Sequence, residues 1–72
     1  MAKDIQKALG ERILKLRKVR EWSQERMAEA SGMHWTYIGQ VERGERNLTL
    51  RSIASIAKAF KIKISDLMKG ID

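Results

Sequence analysis

Apolar residues recur at helical spacing in the first part of the chain, from about Asp4 to Arg20. One face carries Ile5, Ala8, Leu9, Ile13 and Leu16, and charged side chains occupy the rest. This pattern predicts an amphipathic helix. Gly10 lies inside it at a cost of up to about 1 kcal/mol relative to alanine, which indicates either tight packing there or a frayed first turn.

Two shorter helices are predicted within residues 23–44. Ser23 and His34 each precede a helical segment in the place of an N-cap, and Gly32 between them can take the positive φ that ends a helix. Ala28 stands where two helices would have to approach closely. Two short helices joined by a tight glycine turn are typical of a helix-turn-helix, whose second helix can lie in a DNA major groove.

The aromatic residue in front of this motif has two readings. Trp22 immediately precedes the Ser23 cap, and Met27 follows at the position where it can form a hydrophobic staple with the indole. A lone aromatic next to a helix cap usually packs inward, so we interpret Trp22 as core. The alternative is a stacking platform for bases.

The rest of the chain predicts two more helices. Thr49 is a suitable N-cap for a fourth helix that ends near Phe60, and its predicted buried stripe is Leu50, Ile53, Ala54, Ala57 and Phe60. Residues 61–64 form a short connector, because an isolated strand there would have no partner. Ser65 and Asp66 open a last helix with Leu67 and Met68. The predicted fold class is all-α, a compact five-helix bundle.

Charge and size limit the kinds of partner that the chain is expected to bind. The chain has 72 residues and a formal net charge of +6, with a sequence pI of about 10.1. A polyanion is the natural counterpart of such a chain, although this charge is also ordinary for a small soluble domain. A core of this size is marginal, and with no cysteine and one histidine neither a disulfide nor a Cys/His zinc site can support it. Self-association is the remaining support.

Several classes of protein are not expected. No apolar run is long enough to span a bilayer and no signal peptide is evident, which predicts a cytoplasmic protein without a membrane partner. The chain lacks the residue types for nucleophilic or metal catalysis and has no glycine-rich phosphate loop. We therefore expect no enzyme, no catalytic residue, no metal and no cofactor.

Motifs along nearly the whole chain resemble the lambda-repressor-like (Cro/repressor, XRE-type) helix-turn-helix family. They are Leu9-Gly10-Glu11-Arg12-Ile13, Arg17, Ser23-Gln24, Ala28, Gly32, Tyr37-Ile38, Glu42-Arg43-Gly44, Arg46-Asn47, Leu50, Ile56-Ala57-Lys58-Ala59-Phe60 and Asp66-Leu67. The resemblance implies that residues 1–72 form a single helix-turn-helix DNA-binding domain that binds operator DNA as a symmetric dimer. A chain of this length is similar to restriction-modification controller proteins, small phage repressors and some antitoxins, and length favours the controller type.

The resemblance also implies which residues touch bases. The third helix reads DNA, with its start and the following turn facing the base edges: His34, Trp35, Thr36 and Gln40. Gln40 has the strongest chemical claim, because its amide can pair with adenine N6 and N7. Trp35 departs from the family, which more often has a polar or basic residue there, so DNA contact and packing on the protein both remain open. His34 can instead serve as a helix cap.

Backbone contacts and one structural pair follow from the same resemblance. The predicted phosphate contacts are Gln24, Arg43, Arg46 and Asn47, with solvated loop arginines as the alternative. Tyr37 is a secondary candidate on its own chemistry, because its polar tip can reach a phosphate while its ring packs. Gln24 begins the second helix, where free backbone N–H groups favour a phosphate. Arg17 and Glu42 are expected to form an ion pair between the first and third helices and are left out of the DNA contacts.

A dimer interface is predicted at the C-terminal end. Its residues are Ile62, Ile64, Leu67, Met68 and Ile71, which exceed what so small a core is expected to bury. The expected function is an autoregulatory, homodimeric regulator on a roughly palindromic operator; contact with RNA polymerase and repression versus activation stay open. The alternative is a protein-interaction module of the same fold, antitoxin-like, with His34–Tyr37 as an aromatic docking patch.

Overall fold

The computed structural model describes residues 2–71, and the side chains of residues 5–71. Its helices are α1 (Ala2–Val19), α2 (Gln24–Ser31), α3 (Trp35–Glu42), α4 (Leu50–Phe60) and α5 (Ile64–Leu67). The all-α, five-helix fold class is thereby confirmed. Met1 and Asp72, which the predicted domain includes, lie outside the described residues. No helix within residues 2–71 is both long enough and apolar enough to cross a membrane.

The helix boundaries follow the predicted caps. Ser23 Oγ accepts a hydrogen bond from the Arg26 N–H at 3.0 Å, and Thr49 Oγ1 accepts one from the Ser52 N–H at 3.1 Å. Gly32 has φ 74° and ends α2 in the left-handed conformation. His34 occupies the N-cap position of α3, but its side chain makes no capping hydrogen bond. The imidazole is therefore not used to start the helix.

A single hydrophobic core joins the helices. Its buried members are Leu9, Ile13, Met27, Ala28, Ile38, Val41, Ile56, Ala57, Phe60 and Leu67. The predicted stripe of α4 is partly wrong: Leu50 is 73% exposed and Ala54 is exposed, whereas Ile56 is fully buried. Since each residue turns a helix by about 100°, Ala54 falls well to one side of a face that is centred on Ile53, Ala57 and Phe60.

Gly10 marks a close crossing of α1 and α3. A Cβ built at Gly10 would lie 2.9 Å from the Glu42 carbonyl oxygen and would also collide with the Val41 carbonyl. Of the two explanations for this glycine, tight packing is the correct one. At the end of α3, Gly44 has φ 76°, and a Cβ there would lie 2.8 Å from Lys7 Cα. Backbone contact thus fixes α3 against α1.

Two arginine side chains donate hydrogen bonds to backbone carbonyls at the C-terminal ends of other helices. Arg12 Nη2 donates to the Asp66 carbonyl at 2.8 Å, and Arg20 Nη2 donates to the Phe60 carbonyl at 3.0 Å. Carbonyls in the last turn of a helix lack a helical N–H partner, so donors from α1 and from the residue after it help to satisfy the ends of α5 and α4. Trp22 is half-buried and its ring stacks on Phe60 with centroids 5.6 Å apart, which confirms the interpretation of Trp22 as core.

Candidate DNA-binding surface

The C-terminal end of α3 is held by a buried ion pair. Arg17 Nε lies 2.6 Å from Glu42 Oε2, and Arg17 Nη2 donates to Glu42 Oε1 at 3.0 Å. The two residues are only 9% and 7% exposed, and the remaining Arg17 nitrogen donates to the Trp22 carbonyl at 2.7 Å. The predicted ion pair between the first and third helices is confirmed. With both charges paired and hydrogen-bonded, the pair can tolerate burial.

Gln24 is part of the same network. Its Nε2 donates to Glu42 Oε1 at 3.0 Å, a bond that the sequence reasoning missed. Gln24 is the first residue of α2, where backbone N–H groups without helical partners point outward and the helix dipole favours an anion. Glu42 therefore orients the side chain at this helix end, while the amide oxygen and the second amide hydrogen stay available.

The N-terminal end of α3 is open to solvent. His34, Trp35 and Thr36 are all exposed, and Trp35 retains 53% of its accessible surface. The indole is thus presented outward instead of folding back over the first helix pair. Ile38 and Val41, on the opposite side of the helix, are buried in the core. One eight-residue helix therefore combines a buried apolar side with an exposed polar and aromatic side.

Gln40 is engaged by a residue from the following loop. Arg46 Nε donates to Gln40 Oε1 at 2.8 Å, and the Arg46 guanidinium lies over the Tyr37 ring at 5.4 Å. The sequence reasoning grouped Arg46 with the phosphate contacts and did not foresee this arrangement. A bidentate contact from Gln40 to adenine needs the amide oxygen as acceptor, so it requires Arg46 to release or share that oxygen.

Arg43 also has a partner in the free protein. Its Nε lies 2.9 Å from Glu45 Oε2, and its Nη2 donates to Glu45 Oε1 at 3.3 Å. The hydrogen bond from Arg43 lowers the pKa of Glu45, and the same bond raises the pKa of Arg43. Both side chains are exposed, so a phosphate can compete with Glu45 for the guanidinium. Asn47, two residues after Glu45, is exposed on the same loop.

The predicted C-terminal interface divides into two groups. Leu67 is fully buried and has no surface left for a partner, so assigning it to the interface is wrong: it belongs to the core. Ile62, Met68 and Ile71 are half-buried and pack against that core. Ile64 is 40% exposed and offers the most open apolar surface of the group.

The fold and the exposed side of α3 define a helix-turn-helix protein, and comparison with known proteins agrees. The chain belongs to the helix-turn-helix family, whose sequence profile matches residues 13–67. Members of this family are DNA-binding transcription regulators and not enzymes, as the sequence predicted.

Among individual relatives, control proteins of restriction-modification systems recur. The chain is 45% identical over 65 residues to control protein C.SmaI of Serratia marcescens, covering 90% of this chain and 77% of the relative. It is 35% identical over 69 residues to control protein C.BamHI of Bacillus amyloliquefaciens, covering 94% of this chain and 85% of the relative. The crystal structure of the restriction-modification controller protein C.AhdI from Aeromonas hydrophila aligns with a TM-score of 0.82 at 41% identity, over 89% of this chain and 96% of that one.

Proposed function

We propose that this chain is a sequence-specific regulator that binds double-stranded operator DNA as a homodimer and controls the genes of a restriction-modification system, its own gene among them. The similarity to controller proteins over most of both chains supports this assignment. Residues 1–72 then act as one DNA-binding domain in the cytoplasm, where the operator lies. Repression and activation follow from operator position, which the chain does not encode.

One observation carries the proposal: an outward-facing set of DNA-compatible side chains sits on a helix whose other side is fixed in the core. His34, Trp35 and Thr36 are exposed at the start of α3, and Gln40 follows one turn after Thr36. Thr36 can exchange hydrogen bonds with a base edge and present its methyl to thymine, and Gln40 can pair with adenine. These residues are the proposed base contacts.

Phosphate contacts surround this set. Gln24 lies at the N-terminus of α2, and Arg43, Arg46 and Asn47 lie at and after the end of α3. Tyr37 is half-buried, with Arg46 above its ring, and its hydroxyl is the proposed phosphate donor. These contacts position the helix and supply the affinity that depends on salt, whereas the base contacts supply preference.

Dimerisation places two copies of α3 in successive major grooves, about 34 Å apart on one side of the duplex. A two-fold protein requires a roughly palindromic operator. We place the interface at the C-terminal end of the chain, centred on Ile64 and the outer surfaces of Ile62, Met68 and Ile71. Sedimentation equilibrium tests this placement: Ile64→Asp should give a monomer at tens of micromolar, and Val19→Asp on α1 should remain dimeric. A dimeric Ile64→Asp variant would move the interface elsewhere.

The decisive experiment is selection of binding sites from random duplex DNA at near-physiological salt, with Gln40→Ala alongside. We expect a two-fold symmetric site, and a variant that loses preference at one pair of symmetry-related positions by about 1–3 kcal/mol. Gln6→Ala, the same change on α1, is the matched control and should select the unchanged site.

Failure to enrich any site would overturn operator recognition and favour the interaction module. The two functions also differ in salt dependence. DNA binding should weaken steeply with salt, with a slope near −0.9 per phosphate contact, whereas an aromatic docking patch around Trp35 would bind its partner with little change.

A further inference from the structure

A basic cleft lies away from the recognition helix. It has a volume of about 750 Å³ and is formed by the segment between α1 and α2, by α2 itself and by the C-terminal half of α4. Its charged lining consists of Arg20, Arg26, Lys58 and Lys61, with Glu29 as the single carboxylate. No residue of α3 or of the loop that follows it lines this cleft. We refer to it as the α2–α4 cleft.

Most of the positive charge in the α2–α4 cleft is not neutralised. Arg20 donates to the Leu16 and Phe60 carbonyls, which are neutral groups, so its charge remains. Arg26 is paired with Glu29 at 3.1 Å, and both side chains are well exposed. Within the part of the chain whose side chains are described, Lys58 and Lys61 form no ion pair. The cleft therefore favours an anion.

The aromatic floor of the cleft disfavours a stacked nucleobase. Trp22 and Phe60 stack on each other, and guanidinium groups already lie over them: Arg20 at 4.7 Å from the Phe60 centroid and Arg26 at 5.2 Å from that of Trp22. A nucleobase would have to displace these cations to stack on the rings. Carboxylates need no such exchange, because stacked guanidinium groups still present N–H donors at their edges.

Lys61 carries backbone strain at the rim of this cleft. It ends α4 with φ 60°, a left-handed conformation that glycine adopts most easily at this position. A lysine side chain lines the α2–α4 cleft from there, whereas the less strained glycine would contribute no charge. The backbone geometry and the charge pattern thus point to the same surface.

We infer that the α2–α4 cleft binds an acidic, extended segment of a partner protein, with Arg26, Lys58 and Lys61 as the carboxylate-binding residues. Because neither α3 nor the loop after it lines the cleft, we expect a duplex seated on α3 to leave the cleft open and the segment to bind beside DNA. The docking itself is independent of the proposed operator, and only simultaneous occupancy depends on the proposed function. Glu29 competes for Arg26 and weakens binding.

A labelled octapeptide of alternating aspartate and glutamate tests the inference by fluorescence anisotropy at moderate salt. Lys58→Ala/Lys61→Gly should weaken binding by about five- to tenfold, since two exposed charge contacts are lost. The matched control, Lys15→Ala/Lys18→Gly on α1, removes the same charge and should change the Kd by less than about twofold, provided that circular dichroism shows it folded. Glu29→Gln should strengthen binding, and the octapeptide of asparagine and glutamine should not bind.

Equal weakening in both double variants would show attraction to net charge alone and overturn the inference. It would also be overturned if random-sequence duplex DNA displaced the peptide and lost affinity in the Lys58/Lys61 variant, since the cleft would then be a DNA surface. Lys61→Gly alone separates structure from binding: we expect a higher Tm together with weaker peptide binding. A lower Tm would mean that Lys61 serves the fold.

Discussion

The two ends of α3 are built in opposite ways. At the C-terminal end, Glu42 is buried with Arg17 and Gln24, and Gly10 brings the backbones of α1 and α3 together. At the N-terminal end, His34 makes no capping bond and Trp35 is 53% exposed. At the C-terminal end every buried charge is paired. At the N-terminal end no hydrogen bond from the described residues fixes the exposed side chains.

If the exposed end of α3 reads DNA as proposed, this difference separates the orientation of the helix from recognition of the operator. The buried end fixes where the helix points, and its residues cannot change without loss of stability. The exposed end contributes little to the core, so its side chains can be chosen for what they bind. Changes at the buried end should therefore reduce stability, and changes at the exposed end should reduce binding.

Glu42→Ala should lower the free energy of unfolding by about 3–5 kcal/mol, because it leaves Arg17 buried without its counter-charge. For a chain of this size that is a large part of the total stability. Urea denaturation followed by circular dichroism measures the change. Arg17→Met/Glu42→Leu removes both charges and should recover much of the loss, although the bond to the Trp22 carbonyl is also removed. A loss below about 1 kcal/mol in Glu42→Ala would show that the pair does not anchor α3.

Gly10→Ala should destabilise the protein by about 1–3 kcal/mol, even though alanine is the better helix former, because the new methyl meets backbone carbonyls that cannot move alone. Gly39→Ala is the matched control in a helix. Its Cβ would meet first the end of the exposed Arg43 side chain at 3.3 Å, which can swing away. We expect a gain of up to about 1 kcal/mol there. Thermal unfolding compares the two variants, and equal effects would contradict the close crossing.

Trp35→Ala should leave the Tm nearly unchanged and weaken binding to the selected operator by about tenfold, because the exposed indole contributes apolar contact to DNA and little to the core. Val19→Ala, at a position 74% exposed on α1, should alter neither quantity. Thermal unfolding and fluorescence anisotropy with labelled operator give the two readings. A large loss of Tm in Trp35→Ala would mean that the N-terminal end of α3 is also structural.

Glu45→Gln should strengthen operator binding two- to fivefold at low salt, on the order of an exposed ion pair, since Arg43 no longer has to leave a carboxylate. Because the pKa of Glu45 is lowered, its pairing is fully present above the ordinary glutamate value of about 4.3 and is lost only as pH falls through the lowered pKa. The ratio of the operator Kd of the unchanged protein to that of Glu45→Gln should therefore stay constant between about pH 6 and about pH 8. The ratio should shrink at high salt.

Local sequence patterns and the family resemblance were enough to predict the fold and the buried C-terminal end of α3. Ser23 and Thr49 are residue types that cap helix N-termini, and Gly32 is the type that ends a helix with positive φ, so their roles could be predicted from residue type alone. The Arg17–Glu42 pair followed from the family resemblance. The buried face of α4 was misjudged because Leu50 is apolar yet lies beyond the packed surface.

The bonds around the exposed site could not be foreseen. Arg46 reaches Gln40 across a loop of irregular backbone, and Gln24 meets Glu42 from a different helix. Neither contact has a periodic signature, because both depend on how the loop and the helices are placed in three dimensions. Sequence predicted which residue types surround α3 but not which of them are already bonded to each other.

The glycine crossing of α1 and α3 has a consequence for how such a regulator can diverge. At Gly10 and Gly44 the backbones are in direct contact, so any variant that adds a side chain at either glycine has to change the spacing between α1 and α3, and variants that keep both glycines retain this close contact. If residues 34–36 read the operator as proposed, they can be replaced without disturbing this contact. A duplicated gene would then need only a few changed codons to bind a new operator.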